Sequence, residues 1–140
     1  MLDEIKVMLD EGAKMPEFAH TWDAGMDLFA NERVIIRPND WAIISTGTHM
    51  EIPRGWVGLL TSKSGLMAKA GITSRGTIDP DYTGEIKAIL FNHSQKTYIV
   101  EKGDKVTQVV FMRCYHPKPV LVDRLDETER GDNGFGSTGR

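Results

Sequence analysis

Short runs of β-forming residues, each cut off by a turn former, constrain this chain more than any other feature. "IKVML", "RVIIR", "WAIIST", "GWVGLL", "IKAILFN", "TYIVE", "KVTQVVFM" and "PVLVD" are rich in β-branched and aromatic residues, and Gly, Pro, Asn and Asp separate them. Several alternate cleanly: Ile86, Ala88 and Leu90 fall on one face, Lys87, Ile89 and Phe91 on the other. Many short strands with frequent turns predict an all-β domain, a sandwich, jelly roll or barrel. One stretch, "SGLMAKAG", reads as a short helix closed by Gly71. The composition changes most sharply at "LDETERGDNG", which predicts a β-rich body over 1–129 and a glycine-rich arm over 130–140 within a single domain.

A chain of 140 residues, 40% hydrophobic and 26% charged, suits one soluble globular domain with a real core. The formal net charge of −3 argues against a polymeric nucleic-acid partner, which would call for a clear basic excess. A single nucleotide needs only a few placed cations and is not excluded. No apolar run reaches the length of a membrane span, and "MLDEIKVMLD" lacks the pattern of a signal peptide, so an intracellular, cytoplasmic setting is expected. The lone Cys114 lies in the apolar run "VVFMRCY" and is expected to be a buried structural thiol. The four histidines show no metal-ligand spacing.

Five stretches carry possible chemistry. In "GITSRGTIDPDYTGEIKAILFN", Ile72 to Ile78 reads as a hairpin around "TSRG", and Asp79, Asp81 and Tyr82 follow in a turn framed by Pro80 and Gly84. That turn is either plain surface or a place where a carboxylate beside a ring serves as a general base. In "TSKSGLMAKAG", Ser64 is either an ordinary N-cap or, with Gly65 and Lys63, part of an anion site. In "KGDKVTQVVF", Gln108 shares a face with Val106 and Val110, so it is buried unless it lines a cleft. "DAGMDLFA" places Gly25 and Asp27 where a loop enters a strand. The terminal "RGDNGFGSTGR" is either a flexible tail or a phosphate-binding arm, and the lone ring of Phe135 is what an entropic linker does not need.

Taken in order, "AGMDL", "SKSGLMAKAGI", "GTIDPDYTGE", "GDKVTQVVF" and "RGDNGFGSTG" resemble the five ordered motifs of the trimeric deoxyuridine triphosphatases (dUTPases). The resemblance spans about residues 15 to 139. It implies a jelly-roll-like β fold with a mobile C-terminal arm, a homotrimer with active sites shared among subunits, and hydrolysis of dUTP to dUMP and pyrophosphate. That reaction keeps uracil out of DNA and supplies dUMP for thymidylate synthesis. By position Asp79 matches the base that activates a water for attack on the α-phosphate. Mg2+ is implied as cofactor, held mainly by phosphate oxygens and waters, and Asp27 matches a residue touching one of those waters.

The resemblance assigns further roles residue by residue. Tyr82 matches the ring that packs under deoxyribose. Backbone groups of the hairpin, including Thr73, Thr77 and Ile78, with Lys87 on the returning strand, match the uracil reader. Lys63, Ser64, Gly65 and Gln108 match phosphate contacts, Arg130 a γ-phosphate ligand, Phe135 the ring stacked on uracil, and Gly136, Ser137 and Thr138 contacts of the closing arm. Three positions depart from the common pattern: Lys63 stands for arginine, Ser62 for proline and Asn133 for glycine. The related dCTP deaminases need a different acid–base set on the strand that here reads "AILFN", which holds no carboxylate. A binding module without turnover is opposed by the presence of Asp79 and the full arm.

Overall fold

The computed structural model describes residues 1–139. Nine strands and one helix follow in chain order: β1 Lys6–Leu9, β2 Met26–Phe29, β3 Val34–Ile36, β4 Trp41–Glu51, β5 Trp56–Thr61, α1 Ser64–Ala70, β6 Ile72–Ile78, β7 Ile86–Asn92, β8 Tyr98–Val100 and β9 Lys105–Arg113. Seven strands form one antiparallel sheet in the order β1-β4-β7-β6-β5-β9-β2, and β3 pairs with β8 in a separate ribbon. The all-β fold expected from the sequence is therefore the fold observed. Among the described residues no helix is long and apolar enough to cross a membrane.

β6 is where the sheet changes direction. Its first half pairs with β7 (Ile72 opposite Asn92, Ser74 opposite Leu90), and its second half pairs with β5 (Arg75 opposite Thr61, Ile78 opposite Gly58). The core follows this change. Ile72 packs in a cluster with Ala30, Ile36, Ile44, Ala88 and Leu90, whereas Ile78 packs with Leu28, Met50, Ile52, Leu60 and Val109. The expected hairpin within Ile72 to Ile78 is thus a single strand. Alternating inward residues at Ile72, Ser74 and Ile78 keep one face buried throughout, so no turn is needed at Gly76. The true hairpin is β6–turn–β7. It splays after Ser74, where β6 leaves β7 and pairs with β5 instead, while β7 keeps β4 along its other edge.

β4 runs past the end suggested by "WAIIST", through a bulge at Thr46 and Gly47 where the pairing with β7 shifts. Gly47 has φ 62°, and a Cβ there would lie 2.7 Å from the Cβ of Ala13, so the bulge needs glycine twice over. Its N–H is taken up by the Glu85 carboxylate at 3.0 Å, and the Ser45 hydroxyl also donates to Glu85. The alternation in β7 is as expected: Ile86, Ala88, Leu90 and Asn92 are buried, Lys87 and Phe91 exposed.

Other expectations fail for identifiable reasons. "PVLVD" forms no strand; Val120 and Leu121 are exposed, because β2 and β5 already occupy both sides of β9. Regular structure ends at Arg113, and 115–129 is exposed chain, well before the composition change that suggested the end of the body. Cys114 is only partly buried, since it lies just past β9 with its N–H donated to Gly55 O at 2.9 Å. Ser64 is the first residue of α1 rather than its N-cap. Lys63 takes the cap position and makes no side-chain cap, and Gly71 closes the helix in the left-handed region as expected.

Candidate active site

Asp27 organises the first half of the site. It lies in β2, directly opposite Gln108 of β9, and is 2% exposed. A buried carboxylate needs compensation, and two lysines supply it. Lys105 Nζ sits 2.7 Å from Oδ2, and Lys63, arriving from the loop before α1, pairs with Oδ1. Burial by itself would raise the Asp27 pKa. The hydrogen bonds and charges of Lys105 and Lys63 outweigh it and leave the carboxyl below its ordinary range. Lys105 is in turn raised, chiefly by its hydrogen bond to Asp27. Lys63, expected as a free cation for phosphate, is here committed to Asp27. Lys105 was not singled out from sequence; its signal was its place directly after the Gly103-Asp104 turn.

Gln108 is partly buried, not sealed in the core, and its amide donates to Ser62 O at 3.1 Å. Ser62 itself zips the end of β5 onto β6. Its hydroxyl accepts the Ser74 N–H at 2.8 Å and donates to the Ser74 carbonyl at 2.9 Å. Ser74 Oγ meets Thr107 Oγ1 at 2.7 Å, and Thr107 donates to Thr61 O at 3.1 Å. A proline at position 62 could not make these bonds, so the departure from the common pattern has its own structural role. Asp27, Lys63, Gln108 and the exposed Ser64 and Gly65 thus gather at the Thr61 end of β5.

Asp79, Tyr82 and their turn lie at the other end of the β5–β6 pair. The turn is braced from within: Tyr82 N–H donates to Asp79 O at 3.1 Å, and Tyr82 Oη donates to Glu85 O at 2.7 Å. A Cβ at Gly84 would sit 2.7 Å from the tip of the Tyr82 ring, so glycine lets the ring lie close over the turn. Asp79 is exposed and Tyr82 is 47% exposed, so both are open to a ligand. Ile78 is 4% exposed and could act only through its backbone. Thr77 is exposed on the splayed half of β6. Thr73 is on the β7-paired half, its hydroxyl 2.7 Å from His93 Nε2, apart from Thr77 and Ile78. Lys87 reaches back to Glu85 at 3.8 Å.

The arm forms a third region that bonds to itself. Arg130 Nε donates to Asn133 O at 2.8 Å, and Asn133 N–H donates to Arg130 O at 3.0 Å. Arg130, Ser137 and Thr138 line one concavity with Thr128 and Asn133. Phe135 is fully exposed, and Gly136 follows it. Among the described residues no three His, Cys, Asp or Glu side chains cluster in a way that would hold a metal ion.

Comparison with known proteins turns this geometry into a class and then a family. The fold is that of solved dUTPases. A point mutant of the Staphylococcus bacteriophage 80alpha dUTPase, solved with dUpNHpp, superposes with a TM-score of 0.92 at 30% identity, covering 99% of each chain. A phage phi11 dUTPase mutant, described with a structural Mg(II) ion, gives 0.81 at 31% identity over 87% of this chain and 98% of that one. The dUTPase family profile matches residues 11–139. The deoxyuridine 5'-triphosphate nucleotidohydrolase of Clostridium tetani is 45% identical, covering 95% of this chain and 94% of its own. That of Corynebacterium efficiens is 43% identical, covering 99% and 80%. The chain belongs to the dUTPase family and is a hydrolase of nucleotide metabolism.

Proposed function

We propose that the protein hydrolyses dUTP to dUMP and pyrophosphate by attack of an Asp79-activated water on the α-phosphate. The new bond joins the water oxygen to the α-phosphorus, the bond to the bridging oxygen breaks, and the water's proton passes to the Asp79 carboxylate. A fixed carboxylate that takes this proton lowers the barrier of an otherwise poor nucleophile. The observation that carries the reading is the braced, open turn from Asp79 to Glu85, which holds a carboxylate and an aromatic ring side by side at a sheet end. The same turn supports Tyr82 as the platform under deoxyribose, closed to a 2′-hydroxyl. The splayed hairpin supports uracil reading: β6 beyond Ser74 has lost its β7 partner, so main-chain groups there are free to pair with a base.

The phosphates are assigned to Ser64, Gly65 and Gln108, with Lys63 turning from Asp27 to the triphosphate. About 13 Å of strand, four residues from Arg75 opposite Thr61 to Asp79, separates this cluster from Asp79. That separation supports a homotrimer in which one subunit's Asp79 faces another's phosphate contacts. The donor set suits Mg2+ carried by the triphosphate: one buried carboxylate, Asp27, stands at the cluster with both oxygens already on lysines. When bound, the ion would neutralise charge on the leaving pyrophosphate. Arg130, Phe135, Gly136, Ser137 and Thr138 are assigned to an arm that folds over bound nucleotide. The same reaction would keep uracil out of DNA and supply dUMP for thymidylate synthesis, in a cytoplasmic setting. Pyrophosphate release measured with dUTP, UTP, dTTP and dCTP in the presence of magnesium tests the reading. Strong preference for dUTP is expected; equal rates with UTP or dCTP would overturn it.

A further inference from the structure

We propose that His49 is a positioning residue for the turn carrying Asp79 and Tyr82, holding that turn to the body through its doubly protonated ring. This rests on the dUTP-hydrolysing reading above. His49 lies in β4, just past the bulge and opposite Met8 of β1. Its side chain is 17% exposed and wedged between two acceptors. Nδ1 is 2.9 Å from the Thr83 carbonyl, and Nε2 is 3.1 Å from Asp10 Oδ1. Neither acceptor carries a proton of its own to offer, so only the imidazolium satisfies both. A neutral ring has one N–H, which goes to the Asp10 carboxylate as the stronger acceptor and leaves a lone pair facing Thr83 O.

Each partner is fixed elsewhere. Asp10 N–H donates to Gly47 O at 2.8 Å, which ties it to the bulge. Thr83 lies between Tyr82, bonded to Asp79 O and Glu85 O, and Gly84. A bond at Thr83 is therefore transmitted to both functional side chains of the turn. Glu85 anchors the turn's far end on Ser45 and Gly47, and His49 anchors its middle. The charged groups around the ring are Asp10 from the end of β1, Glu85 from the turn, and the pairs Lys6–Glu51 and Lys87–Glu85 on β1, β4 and β7. The Thr83 carbonyl first, then Asp10, raise the His49 pKa above its ordinary 6.5. A raised histidine holds its bonds fully below the ordinary value and loses them as pH climbs through the raised one. The turn is thus clamped below the ring's ordinary value and released as pH climbs through the raised one.

The test combines dUTP turnover from about pH 5.5 to 9 with NMR titration of the His49 ring. In the native protein turnover should fall about fivefold through the ring's titration, the worth of roughly one neutral hydrogen bond. His49→Asn, whose amide can donate to Thr83 O at any pH, should keep the low-pH rate and lose the alkaline fall. Asp10→Asn should lower the ring's pKa and carry the fall with it. Melting temperatures of both variants establish that they fold. An alkaline fall unchanged in His49→Asn, or a ring pKa that moves in Asp10→Asn without moving the fall, overturns the proposal. Should the native protein not turn over dUTP, amide exchange at 82–84 decides the matter. Protection lost through the ring's titration supports the clamp, and unaltered protection overturns it.

Discussion

The turn from Asp79 to Glu85 and the arm from Arg130 onward carry the residues proposed for chemistry and for closure, yet they are built in opposite ways. The turn is bonded inward by Tyr82 and outward by Glu85 and His49, to a sheet whose core is fully buried at Ile44, Ala88 and Leu90. Among the described residues the arm's hydrogen bonds are local, between Arg130 and Asn133, Gly134 and Ser137, Gly136 and Gly139, and from Gly131 N–H back to the Thr128 hydroxyl. A group that must abstract a proton needs a fixed position before substrate arrives. A group that must admit and release substrate needs the reverse, with ordering left to the ligand. On the proposed reading, one molecule divides its site into a preorganised half and an induced half.

Removing the proposed base breaks the comparison at its strongest point. Asp79→Asn keeps the size of the side chain but cannot take the water's proton. Turnover should fall about a hundred- to ten-thousand-fold with melting temperature little changed, since Asp79 is exposed. Near-normal turnover, read by pyrophosphate release, would sink the assignment.

Truncation after Glu129 attacks the induced half. Residues 130 to 139 contain one aromatic and no aliphatic residue, so they offer the core almost nothing. Ordering them costs on the order of 1–2 kcal/mol per residue in backbone entropy, which bound nucleotide must offset. The truncated chain should melt and assemble as the full one does while losing about a hundredfold in rate, the scale of a lost preorganised charge contact. Full activity would return the arm to a plain tail, and unfolding would make it a structural strand.

What the sequence disclosed follows the same division. β7 was legible because one face must be buried, and a period of two at Ile86, Ala88 and Leu90 leaves a single register. In the arm, the exposed Phe135 among glycines is what composition alone could mark. What stayed hidden were long-range pairings: Ser62 on Ser74, Lys63 and Lys105 on Asp27, His49 on Thr83. Each depends on which strands become neighbours, and local composition carries no information about that. The hairpin expected around "TSRG" fails for the same reason, because a strand that changes partners midway looks like two strands.

A third region, around Asp27, sharpens the comparison in stability rather than rate. Asp27→Asn leaves Lys63 and Lys105 facing each other over a buried amide, which should cost on the order of 2 kcal/mol. Because the folded carboxyl is held below its ordinary value, its contribution is present above about pH 4 and fades as pH falls through the depressed value. Denaturant midpoints from about pH 7 down to 3 should therefore drop more steeply in the native protein than in the variant. Parallel curves would mean that the lysines do not stabilise the charge.

The smallest effect separates two roles of one side chain. Tyr82 presents a ring to solvent and a hydroxyl to Glu85 O at 2.7 Å, and the two are removed by different substitutions. Tyr82→Phe deletes only the hydroxyl. Glu85 O lies at the turn's surface side and can take a water instead, so the loss should stay within about 1 kcal/mol, a few-fold in turnover. The ring proposed to fill the space of a 2′-hydroxyl is kept, and the dUTP-to-UTP ratio of kcat/KM should hold. Tyr82→Ala deletes the ring as well, and that ratio should fall even where dUTP binding weakens little. Steady-state rates on both nucleotides for both variants decide it. If the phenylalanine variant loses discrimination as far as alanine does, the selectivity lies in the hydroxyl's brace on the turn and not in the ring, and Tyr82 acts by holding Asp79 in place.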